Sequence, residues 1–410
     1  MIAWLLISFF VLLFLGVPIA MSLGLSAMGG ILFLGGGSTV TIAQRMFEGM
    51  NSFALLAIPL YTFAGFTMSK GGISKRLMDF CYSIVGHIYG GLAHVNVLSS
   101  MIFAGISGSA VADTAGVSGM FMPEMIRKGY SKNFTVAVTA ISSTIGIIIP
   151  PSIPMVVIAG ICGISTGKLF LGGIIPGILC GLAQMIVSYF LAKKEGVPKE
   201  PGHFTIGPVL HGLWESWPAL LMPIIIVGTI TMGIVSPTEA GVIAVVYGLF
   251  AGGIIYRELK WEDIKFAFAE TVRTSGRIFI VIGAAKLYTV MLTTAGFDKW
   301  VAKTMLGFST NPTVILIMIL LIFFIVTMFM ESIATLTLFM PILYPIALGV
   351  GINPIVLSVL ITVVIGIGLV TPPVGMCIYV ACDLMDTTVG EVFPTLVPFI
   401  AATFVCLSLI

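Results

Sequence analysis

Residues 105–116 read Gly105-Ile106-Ser107-Gly108-Ser109-Ala110-Val111-Ala112-Asp113-Thr114-Ala115-Gly116, a run of small and hydroxyl-bearing side chains with a single carboxylate. The apolar segments 88–104 and 117–126 flank it. Neither is long enough to cross a hydrocarbon core of about 30 Å, which takes about 20 residues. Flanks and run together predict a re-entrant hairpin, 88–126, that enters the membrane and leaves by the same face. A tip at that depth would leave backbone N–H and C=O groups without partners in lipid, so it has to be buried in protein or line a wet cavity. That makes the tip a candidate site. Its glycines and alanines would equally serve the close packing of helices, as small residues do in membranes.

The chain around this stretch has 410 residues, 58% of them hydrophobic and 9% charged, with a mean hydropathy of +1.16. No soluble core uses so much apolar surface, so the expected fold class is an all-α polytopic membrane protein. The net charge of +2 points to no class of partner beyond the bilayer, and nucleic acid is not expected. Six cysteines (81, 162, 180, 377, 382, 406) lie in or beside apolar segments without metal-ligand spacing and read as small apolar packers. Four histidines (87, 94, 203, 211) fall at segment ends. The N-terminus lacks the positive stretch of a cleavable signal and reads as a retained first span.

Further apolar segments fall at 2–15, 17–35, 51–69, 133–164 and 170–192, before a polar linker at 193–216. They resume at 217–235, 238–256 and 276–296, then a second hairpin at 312–348, then 354–382 and 393–410. Two stretches, 70–87 and 297–311, mix charge with Leu, Met, Phe and Trp and are read as arms lying in the membrane interface. The halves echo each other. Val17-Pro18 pairs with Ser236-Pro237, and Phe121-Met122-Pro123 with Phe339-Met340-Pro341, which lays Asp113 over Glu331. Gly146–Pro151 pairs with Gly368–Pro373, and Pro176 with Pro398. Two repeats are therefore expected, 1–192 and 217–410, each with five crossings and one hairpin. An odd number of crossings inverts the second repeat, and inverted repeats with broken helices are the architecture of secondary transporters. Of the basic residues outside the spans, fourteen fall on one side and four on the other (Arg45, Lys168, Lys299, Lys303). The basic side faces the cytoplasm, which puts both termini outside, the first hairpin opening inward and the second outward.

Tandem prolines, Pro150-Pro151 and Pro372-Pro373, interrupt the segments 133–164 and 354–382, and a helix broken by proline frees carbonyl groups. Beside a hydroxyl-rich tip, freed carbonyls suit a hard cation such as Na⁺. A kink that only shapes packing is the alternative for one break; its recurrence in equivalent places favours the site. Asp113 and Glu331 are the acidic residues of the two tips, where a carboxylate is costly and marks function by default. Each is read as binding a cation, carrying a proton or bonding the opposite helix. Lys286, inside 276–296, is a candidate for contact with an anionic substrate, with snorkelling or pairing to a carboxylate as alternatives. Enzyme motifs fail. Gly105–Ser109 lacks the last glycine of a nucleophile elbow, Asp113–Gly116 has no second copy as an aspartic protease needs, and Gly163–Leu169 lacks Walker A spacing.

The stretches GHIYGGLAHVNV (86–97), GISGSAVADTAG (105–116), IIPPSIPMV (148–156), SPTEAG (236–241) and TPPVGM (371–376) resemble the large membrane subunit, the DctM-like M subunit, of tripartite ATP-independent periplasmic (TRAP) transporters. The resemblance covers both halves. It implies an elevator-type fold of the ion-transporter superfamily in the bacterial cytoplasmic (inner) membrane, where a mobile body carrying both hairpins moves against a scaffold, driven by Na⁺. It also implies a small four-helix membrane subunit, expected here as a separate chain, and an extracytoplasmic solute-binding protein. That protein delivers an acidic organic solute: a C4-dicarboxylate, another carboxylate or sialic acid. Carried over by position, the first Na⁺ site would use Ser107 and Ser109 with carbonyls of Gly146, Ile149 and Pro151. The second would use Ser332 and Thr335 with Gly368, Thr371 and Pro373. The substrate would lie between the tips, with Asp113, Thr114, Glu331 and Lys286 as substrate or coupling candidates. Where members of the family carry Asp in the second hairpin, this chain has Glu331. A proton-coupled or stand-alone carboxylate carrier is the alternative, and an ion channel a more remote one.

Overall fold

The computed structural model describes residues 1–34, 38–197 and 205–410, and over them the chain is helical with no strand. Helices α1 (Ile2–Phe14) and α2 (Ile19–Leu34) form an antiparallel pair, turned at Gly16, whose φ of +80° suits glycine. An amphipathic helix, α3 (Thr39–Met50), follows, capped by the Ser38 hydroxyl, which accepts from the Val40 N–H at 3.3 Å. A 3₁₀ turn at Phe53–Leu56 leads into α4 (Ala57–Lys70), and α5 (Ile73–Val85) is the first arm. The first hairpin is α6 (Gly91–Ser107) and α7 (Ala110–Arg127). Then α8 (Lys132–Ser143) runs through a 3₁₀ turn (Thr144–Ile147) to the Pro150-Pro151 break, beyond which α9 (Ile153–Cys162) resumes.

The long helices α10 (Thr166–Lys194) and α11 (Ile206–Thr231) come next, followed by α12 (Pro237–Phe250), which ends in a π turn at Ala251–Ile255, and α13 (Trp261–Thr294). The second arm is α14 (Phe297–Phe308), and the second hairpin is α15 (Pro312–Thr327) with α16 (Ser332–Gly349). Finally α17 (Pro354–Gly368) breaks at Pro372-Pro373 before α18 (Met376–Asp383), and α19 (Val389–Leu409) closes the chain. Both tandem-proline peptides are cis. Among the described residues seven helices, counting Phe53–Lys70 and Pro237–Ile255 each as one, are long and apolar enough to cross a membrane. They make this an all-α, multi-pass membrane protein. The hairpin and broken helices share one large apolar core, while α1, α2 and α13 form a second, smaller one with α16.

The structure moves several boundaries. The run 105–116 is not all tip: the turn is Gly108-Ser109, and Ala110 onward is helical. Alanine is the best helix former, Ser109 caps α7 through an Ala112 N–H at 3.5 Å, and Asp113 in the first turn opposes the helix dipole. The linker 193–216 is shorter than read. Helix α10 runs on to Lys194, α11 begins at Ile206, and the Lys199 call lies outside the described residues. The 276–296 span is the C-terminal part of the 34-residue α13. Charged residues beyond a bilayer need not end a helix, and Asp263 caps this one by accepting from the Lys260 N–H at 3.0 Å.

The element bounds also set one register between the halves. Both α7 and α16 are 18 residues long, and the pairs Ala110/Ser332, Lys132/Pro354 and Pro151/Pro373 are all 222 apart. The overlay of Phe121-Met122-Pro123 on Phe339-Met340-Pro341 is four residues out of phase with this. By place in the helix, Pro123 corresponds to Pro345, Asp113 to Thr335, and Ser109 to Glu331.

Candidate functional site

Each hairpin tip is tied to the break that follows it. At the first, the Gly108 carbonyl accepts from the Ile153 N–H at 3.1 Å. A Cβ on Gly108, whose φ is +66°, would run into the Pro151 carbonyl, so the approach requires glycine. At the second, the Met328 carbonyl accepts from Val374 N–H at 3.1 Å and Gly375 N–H at 3.3 Å. The breaks are themselves braced. Ser152 donates to the Ile147 carbonyl at 2.5 Å and accepts from Met155 N–H at 3.2 Å, and Cys377 N–H reaches the Leu369 carbonyl at 2.9 Å.

The first tip gathers Ser107, Ser109, Asp113 and Gly146. The Ser107 hydroxyl donates to Asp113 Oδ1 and accepts from the Ser109 N–H at 3.2 Å. Asp113 is 4% exposed, and its Oδ2 has no hydrogen-bond partner. That oxygen is aimed at the 3₁₀ turn before the break, where a Cβ on Gly146 would overlap it. Ile149 donates its N–H to the Ile145 carbonyl at 3.0 Å and turns its side chain toward Gly177 of α10.

The second tip gathers Glu331, Ser332 and Thr335. Glu331 is the N-cap of α16: its carboxylate accepts from Ser332 Oγ at 2.7 Å, Ile333 N–H at 2.9 Å and Ala334 N–H at 3.4 Å. Thr335 donates to the Glu331 carbonyl at 3.0 Å. At the break, Thr371 donates its hydroxyl to the Ile367 carbonyl at 2.7 Å and its N–H to the Gly368 carbonyl at 3.1 Å. Gly368 lies against α15, where a Cβ would be 2.7 Å from Thr327 Cβ.

The two groups meet. Cys377, at the start of α18 after the second break, is fully buried, and α18 packs against α7 of the first hairpin. Thr144 and Gly366 also face each other, a Cβ on Gly366 lying 3.3 Å from Thr144 Cβ. The burial of Cys377 agrees with the packing role that the sequence assigns to it. Lys286 sits elsewhere. It lies on α13 against α3, where a Cβ on Gly49 would be 2.6 Å from its own. There the Arg45 hydrogen bond, and behind it the Lys286 charge, hold the exposed Glu48 carboxyl below its usual range. Lys286 thus lies beside α3 and not beside a hairpin carboxylate.

What the arrangement offers chemically is oxygen. Hydroxyls of two tips, two carboxylates and the carbonyls around two breaks converge without a cluster of three His, Cys, Asp or Glu side chains among the described residues. Such a donor set suits a hard monovalent cation better than a transition metal.

Residues 6–410 match the family described as "Tripartite ATP-independent periplasmic transporter, DctM component". The sialic acid TRAP transporter large permease protein SiaM of Vibrio cholerae is 35% identical over 97% of this chain and 93% of its own. The C4-dicarboxylate TRAP transporter large permease protein DctM of Pseudomonas aeruginosa is 35% identical over 95% of this chain and 91% of its own. The isethionate TRAP transporter permease protein DctMQ of Oleidesulfovibrio alaskensis is 37% identical over 96% of this chain, which spans 62% of that protein's length. Among solved structures, the Alcanivorax borkumensis YdaH transporter matches with a TM-score of 0.61 at 13% identity, covering 90% of this chain and 86% of that one. At that identity the likeness concerns the fold alone.

Proposed function

Because the chain belongs to the DctM component family of tripartite ATP-independent periplasmic transporters, we propose that it is the permease of a Na⁺-driven, binding-protein-dependent importer of an acidic organic solute. It is a transporter subunit and not an enzyme, and it is a multi-pass protein of the bacterial inner membrane. Its partners in this reading are a small four-helix membrane subunit and an extracytoplasmic solute-binding protein. Relatives named for sialic acid, C4-dicarboxylates and isethionate suggest a solute carrying a carboxylate or sulfonate.

The carrying observation is that each tip is hydrogen-bonded to the proline break of its own half, while α18, beyond the second break, packs against α7 of the first hairpin. Two ion half-sites and the solute between them fit this geometry. The first takes Ser107 and Ser109 with carbonyls of Gly146, Ile149 and Pro151; the second takes Ser332 and Thr335 with Gly368, Thr371 and Pro373. Asp113 is the coupling carboxylate best placed to take a cation, since one of its oxygens is free. The common separation of 222 between equivalent elements supports two repeats, with the second inverted and both hairpins re-entrant. Hairpins and broken helices then move as one body against α1, α2 and α13, in elevator fashion.

The test is uptake by liposomes holding the chain with both partners. An inward Na⁺ gradient should drive accumulation without ATP, and K⁺ in its place should not. Undiminished uptake in K⁺ on both sides would sink the Na⁺ reading and leave proton coupling through Asp113 as the successor.

A further inference from the structure

Between the first hairpin and the broken helix beside it lies a polar network that the transport reading leaves unused. Asn96 of α6 donates from Nδ2 to Thr139 Oγ1 of α8 at 2.7 Å. Its Oδ1 accepts from Ser142 Oγ at 3.0 Å, and Ser142 Oγ in turn accepts from Ser100 Oγ at 3.0 Å. Thr139 passes its own proton to the Thr135 carbonyl at 2.8 Å. All four side chains are fully buried. From the far side of α8, Gln184 of α10 donates to the Ile141 carbonyl at 3.3 Å.

The second half builds the corresponding contact without such bonds. Helix α15 carries no hydrogen-bonding side chain between Thr313 and Thr327. The residues 222 positions on from Asn96, Ser100, Thr139 and Ser142 are Met318, Ile322, Ile361 and Val364. On α17, Ser358 and Thr362 turn their hydroxyls back to the carbonyls of Pro354 and Ser358 on their own helix, at 2.7 and 2.8 Å. Helix α6 is therefore joined to α8 by side-chain hydrogen bonds, whereas α15 meets α17 through apolar side chains, and the polar tie of the second hairpin to its broken helix is the backbone contact of Met328 at the tip.

The two kinds of interface respond differently to sliding. At membrane depth water does not replace a lost partner, so shifting α6 along α8 leaves amide and hydroxyl groups unpaired. Apolar faces in lipid have no hydrophobic drive holding one register over the next. We propose that Asn96, with Thr139, Ser142 and Ser100, is a positioning group that fixes the first tip against its break, and that the second hairpin is the half of the site that opens. This rests on the ion-coupled reading above. It adds that the first half-site is preformed and the second is completed by closure of α15 and α16.

Two measurements test it. In lipid nanodiscs, hydrogen–deuterium exchange should be faster at 328–335 than at 105–112. Thr139→Val keeps the shape and removes the acceptor, and Asn96→Leu removes the centre of the network. Each should speed exchange at 105–112 by about three- to twentyfold, the range of an intramembrane hydrogen bond. Each should raise half-saturating Na⁺ for uptake by a similar factor, while the maximal rate stays within about twofold, a loss of binding and not of turnover. Thr139→Ser, which keeps the hydroxyl, should behave as wild type in both assays. Unchanged exchange at 105–112 in both variants overturns the proposal, as does a Thr139→Ser variant indistinguishable from Thr139→Val. A wild type whose uptake ignores Na⁺ overturns the ion reading instead, and the exchange comparison then judges the network alone.

Discussion

The two hairpin tips carry one carboxylate each, and the structure uses them in opposite ways. Glu331 stands outside its helix as a cap, with two backbone N–H groups and a hydroxyl on its oxygens. Asp113 lies inside the first turn of its helix with Ser107 on one oxygen and nothing on the other. Capping groups hold helices in place and are largely satisfied by doing so. A buried carboxylate with a bare oxygen is unsatisfied until a cation or proton arrives. The comparison teaches that carboxylates at two similar tips differ in role when one stands at the N-cap and the other one turn inside the helix.

Seven substitutions bear on that difference. Asp113→Asn should have the largest effect, lowering solute uptake about ten- to a hundredfold, as loss of a hydrogen-bonded charge does. Glu331→Asn keeps a capping oxygen and should retain most of the uptake. An equal fall in both would erase the distinction. Gly146→Ala comes next, because its methyl would occupy the space of Asp113 Oδ2. Overpacking of this kind costs about 1–3 kcal/mol, and half-saturating Na⁺ should rise while Gly116→Ala, in open surroundings, leaves it unchanged. Ser107→Ala removes the partner of Asp113 and should raise half-saturating Na⁺ about five- to thirtyfold, against about two- to fivefold for Thr335→Ala, whose hydroxyl serves its own helix. Smallest should be Glu331→Ala, read as helix stability: a lost cap costs about 0.5–2 kcal/mol. A melting curve checks it, and a collapse of transport with unaltered melting would show that Glu331 is more than a cap.

The helix pairs and the proline breaks were legible in the sequence because proline, glycine and charge interrupt apolar runs in ways that water and lipid enforce. The exact tip was less so. Ala110 to Gly116 looks like loop by composition, yet alanine and a capped first turn make helix of it. Helix α3 escaped notice because an amphipathic segment of 12 residues is neither a span nor a charged arm. The recurring Phe-Met-Pro lies one helical turn out of phase with the starts of α7 and α16, an offset that local composition does not show. The places of α18 against α7 and of Lys286 against α3 depend on packing between distant segments, which no local pattern encodes.

Thr144 and Gly366 are 222 apart and touch. A side chain at 366 would press on the 3₁₀ turn before the first break, and glycine there lets α17 come close to that turn. Two threonines would crowd a gap that already holds a methine carbon 3.3 Å from the space a single added Cβ would fill, and two glycines would leave a void. The spacing of the two broken helices is thus set by the missing side chain at 366, and Gly366→Ala would push them apart by a few tenths of an ångström.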